Sequence, residues 1–167
     1  MDAYLQRLQE AIASATDGMT AEGLRRHPEG KWSAAEVLEH LYLTYTGTTK
    51  GFERCLQAGK PLARTPALKD RMRTFVVTEL GHLPEGRKAP ERTVPRGMQA
   101  EEVAREIGPR ISAMDEVISE CEARFGKRTR LVDHPVLGPL TARQWRKFHW
   151  VHGRHHVKQI HKLRQQT

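Results

Sequence analysis

Histidine is the residue type whose number and spacing in this sequence could support chemistry. The chain has 9 histidines in 167 residues, and five of them are clustered near the C-terminus. On a helix, His149, His152 and His156 fall on one stripe with apolar side chains. Two imidazoles four positions apart have Cβ atoms about 5–6 Å apart, so both can bind one ion. The spacing predicts metal ligands on the inner face of this helix, whereas His155 and His161 fall on its flank, where a solvated or capping role is expected.

A third ligand is predicted on an earlier helix. His40 shares the inner stripe of its helix with Leu41 and Thr44, and helical bundles complete metal sites with side chains from facing helices. Neutral imidazole suits zinc, nickel, copper or iron, and three histidines leave at least one coordination position open. An open position is what a catalytic metal requires.

Spacing alone leaves alternatives open for these histidines. His149 with His152, three positions apart, competes with His152 and His156 as the ligand pair. An inward histidine can also be a hydrogen-bonded core residue. However, the last helix carries no Asp or Glu, and several buried imidazoles are costly unless something binds their lone pairs. We therefore favour the metal site.

Two helices are predicted in the first third of the chain. Apolar periodicity predicts the first over residues 2–16. The second begins at Ser33, which caps the helix and forms a capping box with Glu36, and it ends before Gly59 and Pro61.

Two further long helices are predicted after a connection rich in proline, from about Gly59 to Gly97. Within that connection a short helix is predicted around residues 67–77, although residues 75–78 fit an extended segment equally well. The third long helix covers residues 103–125, and Pro109 predicts either a kink or a true start near Gly108. Residues 126–140 are expected to be an ordered loop without strand. The last helix runs from the Thr141 cap, paired with Gln144, to about residue 164.

These elements predict one all-α domain over residues 1–167, a four-helix bundle with a long crossover connection between helices two and three.

The formal charge of +8 arises near the C-terminus, where ten Lys or Arg residues follow residue 126 against the single acid Asp133. A solvated helix face explains this excess, so nucleic acid is not expected as a partner. No apolar run reaches the length of a membrane span, and the N-terminus does not resemble a secretion signal, so no membrane association and a cytoplasmic location are expected. Cys55 and Cys121 are expected to be small buried side chains.

Three stretches of the sequence resemble the DinB-like superfamily, which includes the YfiT-like metal-dependent enzymes. They are residues 32–41, residues 134–141 and residues 152–160, and the resemblance spans nearly the whole chain. It implies a four-helix bundle with a long crossover, and metal ligands at His40, His152 and His156. In the family the paired ligands precede a Gln-Ile-like dipeptide, here Gln159-Ile160, which places His149 outside the ligand set.

The resemblance also implies a class of activity. Relatives include thiol S-transferases that use bacillithiol, mycothiol or glutathione-like cosubstrates, and others are assigned only as hydrolases. We therefore expect a metal-dependent enzyme, with zinc or nickel activating a thiol or water nucleophile for a small-molecule substrate. His149, His155, Gln159 and Asp133 are candidates to orient a ligand or relay a proton. Carboxylates of a thiol cosubstrate could pair with basic residues of the crossover, namely Arg64, Arg71, Arg87 and Arg96.

A non-catalytic binding protein is the alternative. Its basic C-terminal helix would bind a partner, and its histidines would be structural. Binding to phosphates would weaken steeply with salt and would not depend on metal, whereas the enzyme hypothesis requires nearly stoichiometric metal. A homodimer through an outer helical face is compatible with either hypothesis.

Overall fold

The computed structural model of the protein describes residues 1–27, 29–83 and 88–165. Within these residues the chain is mostly helical, with one small antiparallel sheet. The helices are α1 (Ala3–Thr16), α2 (Ala21–Arg25), α3 (Ala34–Ala58), α4 (Leu68–Thr78), α5 (Ala100–Phe125) and α6 (Ala142–Gln165). The strands are β1 (Arg130–His134) and β2 (Gly138–Thr141), and a 3₁₀ turn covers Glu91–Thr93. The long helices pack in pairs, α3 against α5 and α1 against α6.

The predicted helix starts before the two histidine-bearing helices are confirmed. The Ser33 hydroxyl accepts from the Glu36 backbone N–H at 3.1 Å, and the Glu36 carboxylate accepts from the Ser33 backbone N–H at 2.7 Å. The same reciprocal pair joins Thr141 and Gln144 at 3.3 and 3.0 Å. Each pair satisfies two backbone donors that a helix start leaves without partners. Gly59 ends α3 in the left-handed conformation, as a C-terminal glycine commonly does.

Two predictions about the middle of the chain are resolved in favour of helix. The prediction of a short helix around residues 67–77 is confirmed and the extended alternative at residues 75–78 is wrong, because α4 covers Leu68–Thr78. The proposed start of the third long helix near Gly108 is wrong, because α5 begins at Ala100 and contains Pro109 in its interior. Val103 and Ile107, before the proline, are buried on the core side. Their burial offsets the cost of the backbone hydrogen bond that proline cannot donate.

The expectation of a loop without strand over residues 126–140 is also wrong. β1 and β2 form an antiparallel hairpin in which His134 pairs with Gly138 and Val132 with Leu140. The strands are too short to show alternation of apolar and polar residues. Instead, Leu131 and Leu140 are fully buried, and the Trp145 indole N–H donates to the Val132 carbonyl at 3.1 Å, which fixes the hairpin against α6.

A buried ionic network joins α6 to the rest of the core. The Arg146 guanidinium contacts Asp115 at 2.8 Å, Glu122 at 2.7 Å and the Ser119 hydroxyl at 2.8 Å. Asp115 also accepts from the backbone N–H of Asp2 at 2.7 Å. Because the acceptors surround one planar guanidinium, its charge is compensated although the side chain is buried.

Two further features bear on expectations from the sequence. Cys55 and Cys121 are both free and fully buried, as predicted. None of the helices in the described part of the chain is long and apolar enough to cross a membrane.

Candidate metal centre

The structure brings His40 of α3 together with His152 and His156 of α6. Nε2 of His152 lies 3.4 Å from Nε2 of His40 and 3.1 Å from Nε2 of His156. The three nitrogen atoms all lie within 4.8 Å of one another. The three rings also touch, with centroids 4.6 to 5.3 Å apart. This group of side chains could therefore hold one metal ion.

Hydrogen bonds at the far side of two rings fix which nitrogen faces the group. His40 Nδ1–H donates to the Thr93 carbonyl at 2.8 Å, and His156 Nδ1–H donates to the Gln159 side-chain oxygen at 2.7 Å. Both acceptors are oxygens without a proton to give, so the ring proton lies on Nδ1 in each case. In a neutral imidazole this leaves a bare lone pair on Nε2. Two lone pairs thus converge on His152.

The donor set fits a transition metal better than it fits a metal-free hydrogen-bond network. Without a metal, His152 Nε2 could carry one proton and donate it to Nε2 of either His40 or His156. The lone pair of the remaining histidine would then have no full hydrogen-bond partner. In a tetrahedral site with metal–nitrogen distances near 2.0–2.1 Å, ligand nitrogens lie about 3.3 Å apart. The two separations from His152, 3.1 and 3.4 Å, are close to that value, and the third, between His40 and His156, is within 4.8 Å.

Burial keeps these imidazoles neutral at physiological pH. It lowers the pKa of His156 to about 3, assisted by the charge of His40. Burial also lowers the pKa of His40, against the opposing effect of its bond to Thr93, and holds that of His152 well below the ordinary value of 6.5. Neutral imidazoles offer their lone pairs to a metal without first releasing a proton.

The three histidines line a cavity of about 1370 Å³. Its walls include the 3₁₀ turn, the β1–β2 hairpin and α4, with apolar side chains such as Val76, Leu137 and Phe148. Such a volume is sufficient for a small organic molecule. The cations along its walls are Arg54, Arg73, Lys88, Arg92, Lys158 and Lys162, and none of the six forms an ion pair with a described carboxylate.

The four further candidate residues lie in different surroundings. Gln159 holds His156 and also lies 3.3 Å from His155 Nε2, so the three side chains form a hydrogen-bonded chain leading away from the centre. His149 is fully buried, stacks on Trp145 and has no hydrogen-bond partner on either nitrogen within the described residues. Asp133 is exposed at the cavity wall.

Of the four arginines predicted to bind a thiol cosubstrate, the three that the structure describes do not line the cavity. Arg64 pairs with Asp70 at 2.7 Å and lies 3.8 Å from Asp133. Neither Arg71 nor Arg96 is among the residues that line the cavity of the histidines. Arg87 lies outside the described residues.

Two residues that join α3 to the segment before α5 were not predicted from the sequence. Glu39 is buried, and its carboxylate accepts from the backbone N–H groups of Arg96, Gly97 and Met98 at 2.6, 3.0 and 3.0 Å. Thr93 contributes only its backbone carbonyl, which no sequence pattern marks. The position of Glu39 directly beside His40 was a signal that could have been used.

Comparisons with known proteins give the family but no activity. A family model described as "Protein of unknown function (DUF1569)" matches residues 1–163. No curated protein and no solved structure gives a significant match. The chain therefore belongs to the DUF1569 family.

Proposed function

We propose that this DUF1569 protein is a metal-dependent enzyme whose ion is held by His40, His152 and His156. One observation carries the proposal: the Nε2 atoms converge, and hydrogen bonds at Nδ1 of His40 and His156 direct their lone pairs toward one point. Zinc or nickel is the ion that suits this donor set best. We further propose that the whole chain is one domain with the four-helix bundle and long crossover of the DinB-like superfamily.

The chemistry proposed for the centre is activation of a nucleophile. When bound, a divalent transition metal makes the anion of a water or thiol available near neutral pH. The residues of the chain supply orientation, since Thr93 and Gln159 fix two of the three rings. Three protein ligands leave a coordination position for the reacting group, and the adjoining cavity has room for its substrate.

The reaction is proposed to be thiol S-transfer or hydrolysis of a small molecule. In the first case a low-molecular-weight thiol is the cosubstrate, and in the second water is the nucleophile. The cavity is lined by cations that form no ion pair with a carboxylate of the described residues, and these favour an acidic substrate or cosubstrate.

The non-catalytic alternative is weakened by the positions of two basic residues of α6. Arg146 is buried in its pairs with Asp115 and Glu122, and Lys147 contacts Glu79 at 2.6 Å. These side chains are engaged with carboxylates within the fold and are not free to bind a phosphate backbone.

Metal content is the first test. Elemental analysis should find about one transition-metal ion per chain in the purified protein, and His152→Ala should remove it. His149→Phe is the matched control, since it alters a buried histidine of the same helix outside the proposed ligand set, and its metal content should be unchanged. Equal metal in the wild-type and His152→Ala proteins would refute the centre. Loss of metal in His149→Phe would instead favour His149 as a ligand.

The reaction type needs a separate assay. Metal-loaded protein is incubated with an electrophile, with or without a panel of biological thiols, and both products are measured. Transferase activity predicts thiol conjugates that disappear in His152→Ala. Product formed at the same rate without any thiol would show hydrolysis. The same rates with and without protein would contradict both forms of the proposal.

A further inference from the structure

His134 is held in one orientation and one tautomer. Its Nδ1 accepts from the backbone N–H groups of Val136 and Leu137, both at 3.1 Å. An imidazole nitrogen that accepts two N–H donors carries no proton, so the single proton of the neutral ring lies on Nε2. The tight turn between β1 and β2 therefore presents an Nε2–H donor of fixed direction.

The surroundings of His134 keep the ring neutral and its donor available. The ring packs against Phe148 and Trp145, with centroids 4.2 and 5.3 Å away. Burial lowers the pKa of His134 to about 3, so a second proton is not taken up at physiological pH. Nε2 of His134 forms no hydrogen bond with a described residue. It is not fully enclosed by protein atoms either. His134 itself lines the cavity of the three histidines.

Arg92 lines the same cavity as His134. It belongs to the 3₁₀ turn that also supplies the Thr93 carbonyl to His40, and its charge is close enough to help lower the pKa of His134. The Arg92 side chain forms no ion pair with a described carboxylate. A planar guanidinium and a fixed neutral N–H donor together match a single negative charge spread over two oxygens.

The metal centre is reached from His134 through one aromatic ring. Phe148 contacts His134 and also stacks on His152, with centroids 5.4 Å apart and planes at 12°. A molecule of a few bonds could therefore touch the three-histidine centre at one end and the His134 donor at the other.

We propose that His134 and Arg92 form a carboxylate-binding subsite in this cavity, which orients an acidic ligand whose other end lies at the three-histidine centre. The inference rests on the proposed metal centre and adds the chemical class of the ligand. Arg92 provides the charge, and His134 provides direction through Nε2–H. His134 acts as a neutral donor, as a half-buried imidazole does when its charged form is unfavourable.

The test uses cobalt-loaded protein and two probes of the same shape. 3-Mercaptopropionate carries a thiol and a carboxylate, whereas 3-mercaptopropionamide carries the same thiol and no charge. Thiolate binding to cobalt is followed by its charge-transfer absorption. His134→Asn is the informative variant, because its side-chain oxygen can replace Nδ1 as the acceptor for the turn while the Nε2–H donor is lost.

The subsite predicts a selective loss. His134→Asn and Arg92→Gln should each bind 3-mercaptopropionate about tenfold or more weakly than the wild type, as expected for lost hydrogen bonds to a charged group, with the amide probe unchanged. An equal change for both probes, or no change for either, would overturn the subsite and leave the metal centre standing. If the wild type takes up cobalt but shows no cobalt–thiolate absorption with either probe, the subsite is overturned, whereas failure to take up cobalt refutes the metal centre and the subsite with it. Should His134→Asn fail to fold, the exposed Arg92→Gln variant decides the question by the same comparison.

Discussion

Replacing His149 by phenylalanine should make the protein less sensitive to acid. The side chain is fully buried between the aromatic rings of Tyr45 and Trp145, and both of its nitrogens lack partners within the described residues. Burial, with a smaller contribution from the charge of His134, lowers the pKa of His149 to about 3. The same imidazole has a pKa near 6.5 in an unfolded chain.

The direction of the effect follows from which state binds the proton. As the pH falls through about 6.5, the unfolded chain is protonated at His149, while the folded protein is not protonated there until the pH nears 3. The contribution of His149 to stability is therefore complete above pH 6.5 and is lost progressively as the pH falls toward 3. Between pH 7.5 and 5.5 this single residue costs about 1.4 kcal/mol of unfolding free energy.

Urea unfolding at pH 7.5 and 5.5, with a chelator present in every sample, measures this quantity. The drop in unfolding free energy between the two pH values should be about 1.4 kcal/mol smaller in His149→Phe than in the wild type. Any change in packing caused by the new ring is common to both pH values and cancels in the difference. Ile160→Val, a buried change on the same helix, should lower stability by about 0.5–1.5 kcal/mol equally at both pH values.

An identical pH dependence in the wild type and His149→Phe would refute the reasoning. It would mean that the folded protein accommodates a charged His149. The same result in Ile160→Val as in His149→Phe would show that loss of packing, and not titration, sets the pH dependence.

Three further predictions concern the residues around the centre. Gln159→Leu removes the acceptor for His156 Nδ1, so metal affinity measured by chelator competition should fall about 10–100-fold, and an unchanged affinity would contradict the orienting role. Glu39→Gln places amide hydrogens opposite backbone N–H groups of residues 96–98, so the unfolding free energy should fall by about 2–4 kcal/mol. A loss below about 1 kcal/mol would show that these hydrogen bonds contribute little. In Gly153→Ala the new Cβ would overlap Leu8 Cδ1 where α1 meets α6, so thermal unfolding should show a loss of about 1–3 kcal/mol in unfolding free energy. The double variant with Leu8→Ala should lose less than the sum of the two single changes, and strict additivity would argue against the contact.

The sequence was sufficient to predict the long helices and the convergence of the three histidines. Helix periodicity placed His40, His152 and His156 on inner faces, and capping residues at Ser33 and Thr141 marked where the two helices begin. These signals are local, since each depends on residues within a few positions of one another. The resemblance to a known superfamily was needed to choose His156 over His149, because both positions are buried in the structure.

What the sequence could not supply depends on which side chains and backbone groups meet once the chain is folded. Asp70 of α4 and Arg64 before it pair with each other, so the crossover arginine predicted to bind substrate is engaged elsewhere. The hairpin was missed because its strands are short, with Pro135 in the turn and Pro139 in β2, and with it the orientation of His134 was missed. A backbone carbonyl such as that of Thr93 has no side-chain signature at all.

The crossover connection is part of the candidate metal centre and not merely a link between helices. Adjacent residues of α3 hold it at two points, with Glu39 binding the backbone at residues 96–98 and His40 binding the Thr93 carbonyl. The bond to Thr93 sets the tautomer of His40, so the lone pair offered to a metal depends on the crossover being in place. The same 3₁₀ turn carries Arg92 into the cavity. A change that releases this segment should therefore weaken metal binding and the binding of an acidic ligand together, although it touches neither directly.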